Sequence, residues 1–151
     1  MIHRHFLLLN GPNLNRLGRR QPDVYGSRTL DMITDELVAH AGDMGVTLTH
    51  RQSNHEGDLL DVLHEHADTT DAVIINPAGL TSHGISLRDG LADAALPVGV
   101  VHVSNYHARD APWPRRDIFV PLATVVVAGL GTSGYRVVFD HLHDALFDET
   151  S

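Results

Sequence analysis

The chain of 151 residues contains no cysteine and no lysine, and all 11 of its basic residues are arginine. Without cysteine it can form no disulfide, bind no metal through thiolates and use no thiolate nucleophile. Without lysine it has neither a Schiff-base amine nor the lysine of a phosphate-binding P-loop. Acid–base chemistry is left to its 12 histidines, 19 carboxylates, 3 tyrosines and its hydroxyl groups.

Long apolar runs are also lacking. The longest, such as residues 125–130, are far shorter than the roughly 20 residues that span a membrane, and the first residues show no secretory pattern. We expect a cytoplasmic protein with no membrane partner, and we interpret the segment from His3 to His5 as either tag-like or simply exposed. An apolar content of 42% with 20% charged residues predicts one globular domain covering residues 1–151.

The net charge of −8 disfavours nucleic acid as a partner. The charge is unevenly distributed, because residues 1–30 hold five arginines against the single acid Asp23. A basic segment in an acidic protein would suit a small anionic substrate. Ordinary solvated arginines are the alternative interpretation.

Strand-like and helix-like segments alternate along the chain. This alternation predicts an α/β fold with a parallel sheet covered by helices on both faces. Five strands in this length favour a flavodoxin-like three-layer sandwich with strand order 2-1-3-4-5. The predicted strands cover residues 5–10, 46–50, 72–77, 97–103 and 125–129, and the predicted helices run from the cap Thr29, from about Leu59, from about Thr81 to Ala94 and from about Ser133 to Phe147. The long connection between the last two strands is expected to hold a short helix and an active-site loop.

In an open α/β sheet the ligand lies beyond the carboxyl ends of the strands. Three segments rich in Asn, Arg, His and Ser fall there, at residues 10–26, 76–83 and 102–110. The prediction is that they form one binding site.

The first of these segments contains Tyr25. A tyrosine acts as a base only when ionised, which near neutral pH requires its pKa to fall by about 3 units. One adjacent cation lowers a pKa by about 1–3 units, so the pair Arg19 and Arg20 would suffice. The alternative is a packed ring whose hydroxyl is in water.

The other two segments place polar side chains at strand ends. His102 ends a predicted buried strand and is a candidate general acid. Ser104 lies on the same face two residues later, and Asn76 ends another strand. The alternative is a core histidine whose hydrogen bonds are satisfied.

Several of these segments carry a family resemblance. The block NGPNLNRLGRRQPDVYG (residues 10–26) resembles the opening signature of the type II 3-dehydroquinate dehydratases. Later blocks are similar to that family in the same order, namely RQSNHEG (51–57), NPAG (76–79), HVSN (102–105) and GLGTSGY (129–135). The resemblance implies a flavodoxin-like fold, no cofactor or metal, and a homo-oligomer, a dodecamer built from trimers. It implies trans-elimination of water from 3-dehydroquinate, a small anionic cyclic substrate, through an enolate.

Matching positions assign the catalytic roles. Tyr25 would be the base, with Arg20 lowering its pKa, and Asn13 would hold the water that stabilises the enolate. His102 would be the general acid on the leaving hydroxyl, oriented by Asn76.

The resemblance also assigns positions that contact substrate. Ser104 and the backbone at Val103 would hold the substrate carboxylate, and Asp89 would reach a neighbouring subunit's site.

The chain departs from the family pattern at four places. Ser82 stands where the family has a substrate-binding histidine, and His83 follows one residue later; on a helix that step turns a side chain by about 100°. Val100 replaces a glutamate two residues before the acid histidine, which predicts a different environment or a new partner for that histidine. The family's arginine falls near Pro114 and Arg115, beside an apparent insertion, and Gln21 replaces a glutamate.

These departures leave three hypotheses open. The ordinary substrate is used after local repacking of Arg115 and His83. Alternatively, elimination chemistry is retained on an altered substrate, such as an amino-substituted dehydroquinate or another 3-hydroxy ketone. The third is a silent ligand-binding homologue.

Overall fold

The predicted alternation of strands and helices is present in the computed structural model of the chain, which describes residues 2–19, 23, 26–108 and 115–148. The strands are β1 (Arg4–Asn10), β2 (Val46–Gln52), β3 (Ala72–Asn76), β4 (Val98–His102) and β5 (Val125–Ala128). All neighbouring strands pair in parallel, in the order β2-β1-β3-β4-β5. This confirms the flavodoxin-like order. The register sets Asn10 opposite both Gln52 and Asn76, so the carboxyl ends of these strands are level.

Two apolar clusters hold the helices against the two faces of the sheet. In β1, Phe6 and Leu8 point to one face and Leu7 and Leu9 to the other, and all four are fully buried. This is the pattern of a strand covered on both sides. Helices α1 (Leu30–Asp43) and α4 (Gly134–Phe147) supply apolar residues to the first cluster, and α2 (Glu56–His66) and α3 (Ile85–Ala94) supply them to the second.

Helix α1 begins where the sequence predicts. The Thr29 hydroxyl accepts a hydrogen bond from the Met32 backbone N–H at 3.3 Å, which satisfies one of the free donors at the helix start. The connection between β4 and β5 contains the 3-10 turns Tyr106–Ala108 and Val120–Leu122, which agrees with the short helix expected there. In the ranges given above, no helix is long and apolar enough to cross a bilayer.

Two expectations are wrong. Helix α3 begins at Ile85 instead of Thr81, because the chain first forms the 3-10 turn Ala78–Leu80 and then a non-helical Gly84. His5 is buried, because its ring nitrogens find hydrogen-bond partners at Thr49 Oγ1 (2.7 Å) and at the Thr69 carbonyl (3.1 Å). An imidazole with both nitrogens satisfied tolerates burial.

Candidate active site

A cavity of about 350 Å³ opens at the carboxyl ends of β1, β3 and β4. This is the edge of the sheet at which the sequence places a site. Its lining consists of Pro12, Asn13, Leu14, Leu17, Asn76, Ala78, Gly79, Thr81, Ser82, His83, His102, Val103, Ser104, Tyr106 and Arg115. All three predicted segments contribute to it.

The loop after β1 is held close to the end of β3. The Gly11 N–H donates to the Asn76 carbonyl at 2.8 Å. Asn13 adopts a left-handed backbone conformation, with φ of 70°, and its N–H donates to Asn54 Oδ1 at 2.9 Å. Asparagine tolerates this conformation better than most residues do. These contacts bring Asn13 into the lining.

A buried polar network holds Asn76, which lines the cavity. The Tyr135 hydroxyl donates to Asn10 Oδ1 at 2.7 Å and accepts from Asn76 Nδ2 at 2.9 Å. Asn76 Oδ1 accepts from the Ala78 N–H at 3.2 Å. Burial raises the pKa of Tyr135, so this phenol stays neutral and serves as a hydrogen-bonding bridge. Asn76 is fixed from below by this network.

His102 has a different partner from the one expected. Its Nε2 lies 2.7 Å from Asp117 Oδ2, with the two side chains only 8% and 5% exposed. The expectation that Asn76 orients His102 is wrong, since the Asn76 amide binds Tyr135 and Ala78 instead. The physical reason is that a carboxylate is the stronger acceptor for an imidazole N–H. Asp117 is therefore a new partner for His102, one of the two outcomes that the replacement at Val100 predicts.

Ser82 and His83 both line the cavity. They precede α3, so the helical rotation expected between them does not apply. Ser82 Oγ lies 3.3 Å from the Tyr106 hydroxyl, whose ring in turn stacks on His102 with centroids 4.9 Å apart. Ser82, where the resemblance leads us to expect a histidine, therefore presents a hydroxyl next to that of Tyr106.

The end of β4 supplies the remaining wall. Val103 and Ser104 line the cavity, as does Arg115 from the connection to β5. The Val103 carbonyl accepts from the Gly131 N–H at 3.0 Å, which fixes this segment to the loop after β5. Asp89 lies outside the lining, exposed on α3 and paired with Arg88 at 3.2 Å. Its contact with a neighbouring subunit stays a prediction.

The lining combines amide and hydroxyl groups with groups that can carry positive charge. His83, His102 and Arg115 are of the second kind, and such a wall suits a small anion. Among the side chains that the structure describes, no group of three or more histidines and carboxylates is arranged to hold a metal ion.

Several predicted positions lie outside the described residues. These are Arg20, Tyr25 and the substituted positions Gln21 and Pro114. The roles predicted for Tyr25 and Arg20 stay predictions.

The sequence did not identify two residues that shape the site. Asp117 is 15 positions from His102, across a loop with no regular periodicity, so no spacing rule connects them. Tyr106 lies in the predicted site segment 102–110, four residues after the end of β4. That closeness to the strand end was the only sequence feature that could have indicated it.

Comparison with known proteins agrees with this architecture. The family model described as Dehydroquinase class II matches residues 4–143. A 3-dehydroquinate dehydratase 2 of Corynebacterium efficiens is 47% identical over 142 residues, which is 93% of this chain and 97% of the relative.

Two solved structures are similar. The type II dehydroquinase of Butyrivibrio crossotus has a TM-score of 0.87 at 30% identity, covering 93% of this chain and 97% of that one. The type II dehydroquinase of Propionibacterium acnes has a TM-score of 0.85 at 34% identity, covering 94% and 99%. The strand order, the convergent segments and these matches agree, and the chain belongs to the class II dehydroquinase family.

Proposed function

We propose that this chain is a 3-dehydroquinate dehydratase, a hydro-lyase that converts 3-dehydroquinate into 3-dehydroshikimate. The observation that carries the proposal is the position of His102. It is buried and hydrogen-bonded to Asp117, and it lines a cavity of about 350 Å³ together with Asn13, Asn76 and Ser104. Membership of the family and the name of the Corynebacterium efficiens relative support the substrate.

The reaction divides into two proton transfers. A base removes the proton from the carbon next to the ketone, and the C–H electron pair becomes the C=C bond of an enolate. When the enolate collapses, the β C–O bond breaks and the leaving oxygen takes a proton from His102, so that it departs as water. We assign the first transfer to ionised Tyr25 and the second to His102.

The remaining assignments are carried over from the family resemblance. Arg20 stabilises the ionised form of Tyr25, because an adjacent cation lowers the pKa of a phenol. Asn13 holds the water that donates to the enolate oxygen, a use of a fixed donor where charge develops. Ser104 and the backbone at Val103 bind the substrate carboxylate, with Arg115, His83 and Asn76 completing the contacts.

The test is a direct assay. The protein is mixed with 3-dehydroquinate, and the ultraviolet absorbance of the conjugated enone is followed. We expect turnover by the native protein, and we expect Tyr25→Phe and His102→Gln each to lower kcat by about 100-fold or more. His64→Gln, at an exposed position on α2, is the control and should retain full activity. Absence of turnover in the native protein would refute the proposal.

One observation favours a second candidate, elimination on an altered substrate. The Ser82–Tyr106 hydroxyl pair stands where the family has a substrate-binding histidine, so the ring substituents recognised there could differ. Tight binding of an enolate mimic without turnover of 3-dehydroquinate would support this candidate. If the protein neither turns over 3-dehydroquinate nor binds the enolate mimic, the hypothesis of a silent homologue is the one that remains.

We further propose that residues 1–151 form one domain that assembles as a dodecamer built from trimers, in the cytoplasm, with no nucleic-acid or membrane partner. Family membership supports the assembly, and the exposure of Asp89 leaves that side chain available to a neighbouring subunit. Light scattering coupled to size-exclusion chromatography measures the mass. A monomer at assay concentration would contradict the assembly.

A further inference from the structure

The pair formed by His102 and Asp117 differs from an ordinary surface ion pair. The chain contains a second histidine–aspartate contact, between His40 Nε2 and Asp140 Oδ1 at 2.6 Å, but the Asp140 side chain is 41% exposed. The Asp117 side chain is 5% exposed and its partner 8%. A buried carboxylate needs partners for both oxygens, since the cost of leaving it unpaired is large.

Asp117 is held in place independently of the histidine. Its Oδ1 accepts from the Phe119 N–H at 2.9 Å. Phe119 is fully buried in the cluster under α2 and α3. The Ile118 N–H donates to the Thr81 carbonyl at 3.0 Å, which ties the same segment to the loop before α3. The carboxylate is thus preorganised, with Oδ2 left to face the imidazole.

This arrangement determines which ring nitrogen of His102 is available to a ligand in the cavity. A carboxylate oxygen only accepts, so Nε2 must carry a proton and donate it. The Tyr106 ring covers one face of the imidazole, with an interplanar angle of 20°. The nitrogen left for the cavity is Nδ1. In the imidazolium form Nδ1 carries the transferable proton, and after transfer it holds the lone pair.

We propose that Asp117 is the positioning residue that holds His102 for proton donation from Nδ1, supplying a carboxylate that β4 itself lacks. On that strand, Val100 lies two residues before His102 on the same face, and it is apolar and fully buried. The inference rests on the proposed function, because it takes His102 as the general acid. The electron pair of the breaking C–O bond takes the Nδ1 proton, and water leaves.

The first test separates positioning from substrate binding. Asp117→Asn keeps the shape of the side chain, but the amide can present an N–H to Nε2 and so reverse the tautomer. We expect kcat to fall by about 100-fold or more, because the change would leave the imidazole in the wrong tautomer. KM should change less than about twofold, because Asp117 does not line the cavity. Asp140→Asn is the matched control, and kcat should be unchanged.

A wild-type kcat in folded Asp117→Asn would overturn the proposal. So would a rise in KM with kcat unchanged, since that pattern belongs to a residue that binds substrate. If Asp117→Asn does not fold, the proposal is tested instead by moving the carboxylate to position 100 on β4. Val100→Glu in an Asp117→Ser background should restore kcat at least tenfold over Asp117→Ser alone, and a folded double variant without that gain would contradict the proposal.

A second measurement does not depend on turnover. The ring ¹⁵N chemical shifts of His102 in the native protein, assigned by comparison with His102→Gln, report its tautomer at alkaline pH, where histidines are neutral. We expect the proton on Nε2. A proton on Nδ1 would overturn the role of Asp117 whatever the activity. The expected tautomer without turnover of 3-dehydroquinate would reject the proposed function and leave the positioning of His102 intact.

Discussion

The Tyr106 ring lies nearly parallel to the imidazole of His102, with ring centroids 4.9 Å apart and an interplanar angle of 20°. The same tyrosine places its hydroxyl 3.3 Å from Ser82 Oγ. One side chain therefore connects the candidate acid to the position at which this chain departs from its family. The two contacts can be removed separately.

Tyr106→Phe keeps the stacking contact and removes the hydroxyl. If the hydroxyl binds a ring substituent of the substrate, one hydrogen bond worth about 1 kcal/mol is lost, and KM should rise about fivefold with kcat nearly unchanged. Ser82→Ala should have a similar effect. Steady-state kinetics measure both variants. A fall in kcat without a change in KM would show instead that the hydroxyl acts in the chemical step.

Gly11→Ala should damage the site through the backbone. A Cβ at Gly11 would overlap the Pro77 carbonyl oxygen, and backbone cannot move aside as a flexible side chain can. We expect a loss of about 1–3 kcal/mol in unfolding free energy and a lower kcat/KM, because the loop carrying Asn13 must shift. Gly42→Ala is the control: it lies in α1 with open space around it and should gain up to about 1 kcal/mol. Denaturant unfolding compares them, and equal stability of the two variants would contradict this steric account.

Tyr135→Phe should destabilise the buried network that holds Asn76. The change leaves Asn10 Oδ1 and Asn76 Nδ2 without the hydroxyl that bridges them. An unsatisfied buried polar group costs about 1–3 kcal/mol. Because burial raises the pKa of Tyr135, the phenol does not titrate at working pH, and the shape of the pH–rate profile should not change. Thermal unfolding and a pH series test this, and a displaced alkaline limb would mean that Tyr135 takes part in proton transfer.

His5 should make stability depend on pH. Burial, the largest cause, lowers the pKa of His5 below its ordinary 6.5, with His66 and His3 acting in the same direction against the Thr69 hydrogen bond and Asp71. The folded state then binds fewer protons than the unfolded state. The contribution of neutral His5 to the free energy of unfolding is fully present above pH 6.5. It is lost as the pH falls from there toward the lowered pKa of His5 in the folded state.

Replacement of His5 by glutamine should reduce the slope of the unfolding free energy against pH in the same pH range, even if the variant is less stable at neutral pH. His64→Gln, at an exposed position, should leave the slope unchanged. Urea unfolding at a series of pH values gives both slopes. An unaltered slope in His5→Gln would assign the acid sensitivity to other groups.

Local patterns were sufficient to predict the elements and their order. The fully buried run from Phe6 to Leu9 marks a strand covered on both faces, and Thr29 marks the start of α1. Helix α3 was predicted four residues too early: its apolar positions begin only at Ile85, and the preceding segment of Ser82 and His83 turns to line the cavity. Periodicity alone does not distinguish a helix from an adjoining turn that a site requires.

Polar strand ends were sufficient to predict much of the candidate site. Asn76, His102 and Ser104 end parallel strands, and parallel strands bring their carboxyl ends to one edge. The partner of His102 was not predictable in this way. The amide of Asn76 was expected to take that place, but it is bound to Tyr135, 59 positions away.

By itself, the sequence determined the layered fold, the edge of the sheet that carries the cavity and the residues presented there, because hydrophobic period and strand direction are local properties of the chain. Only the tertiary structure decided that Asp117 binds His102, that Tyr106 covers it and that His5 is buried. The first and the last depend on groups brought together across long connections, and the second depends on the 3-10 turn that follows β4. The hydrogen bonds of His102 and His5 form because a buried polar group without a partner is costly.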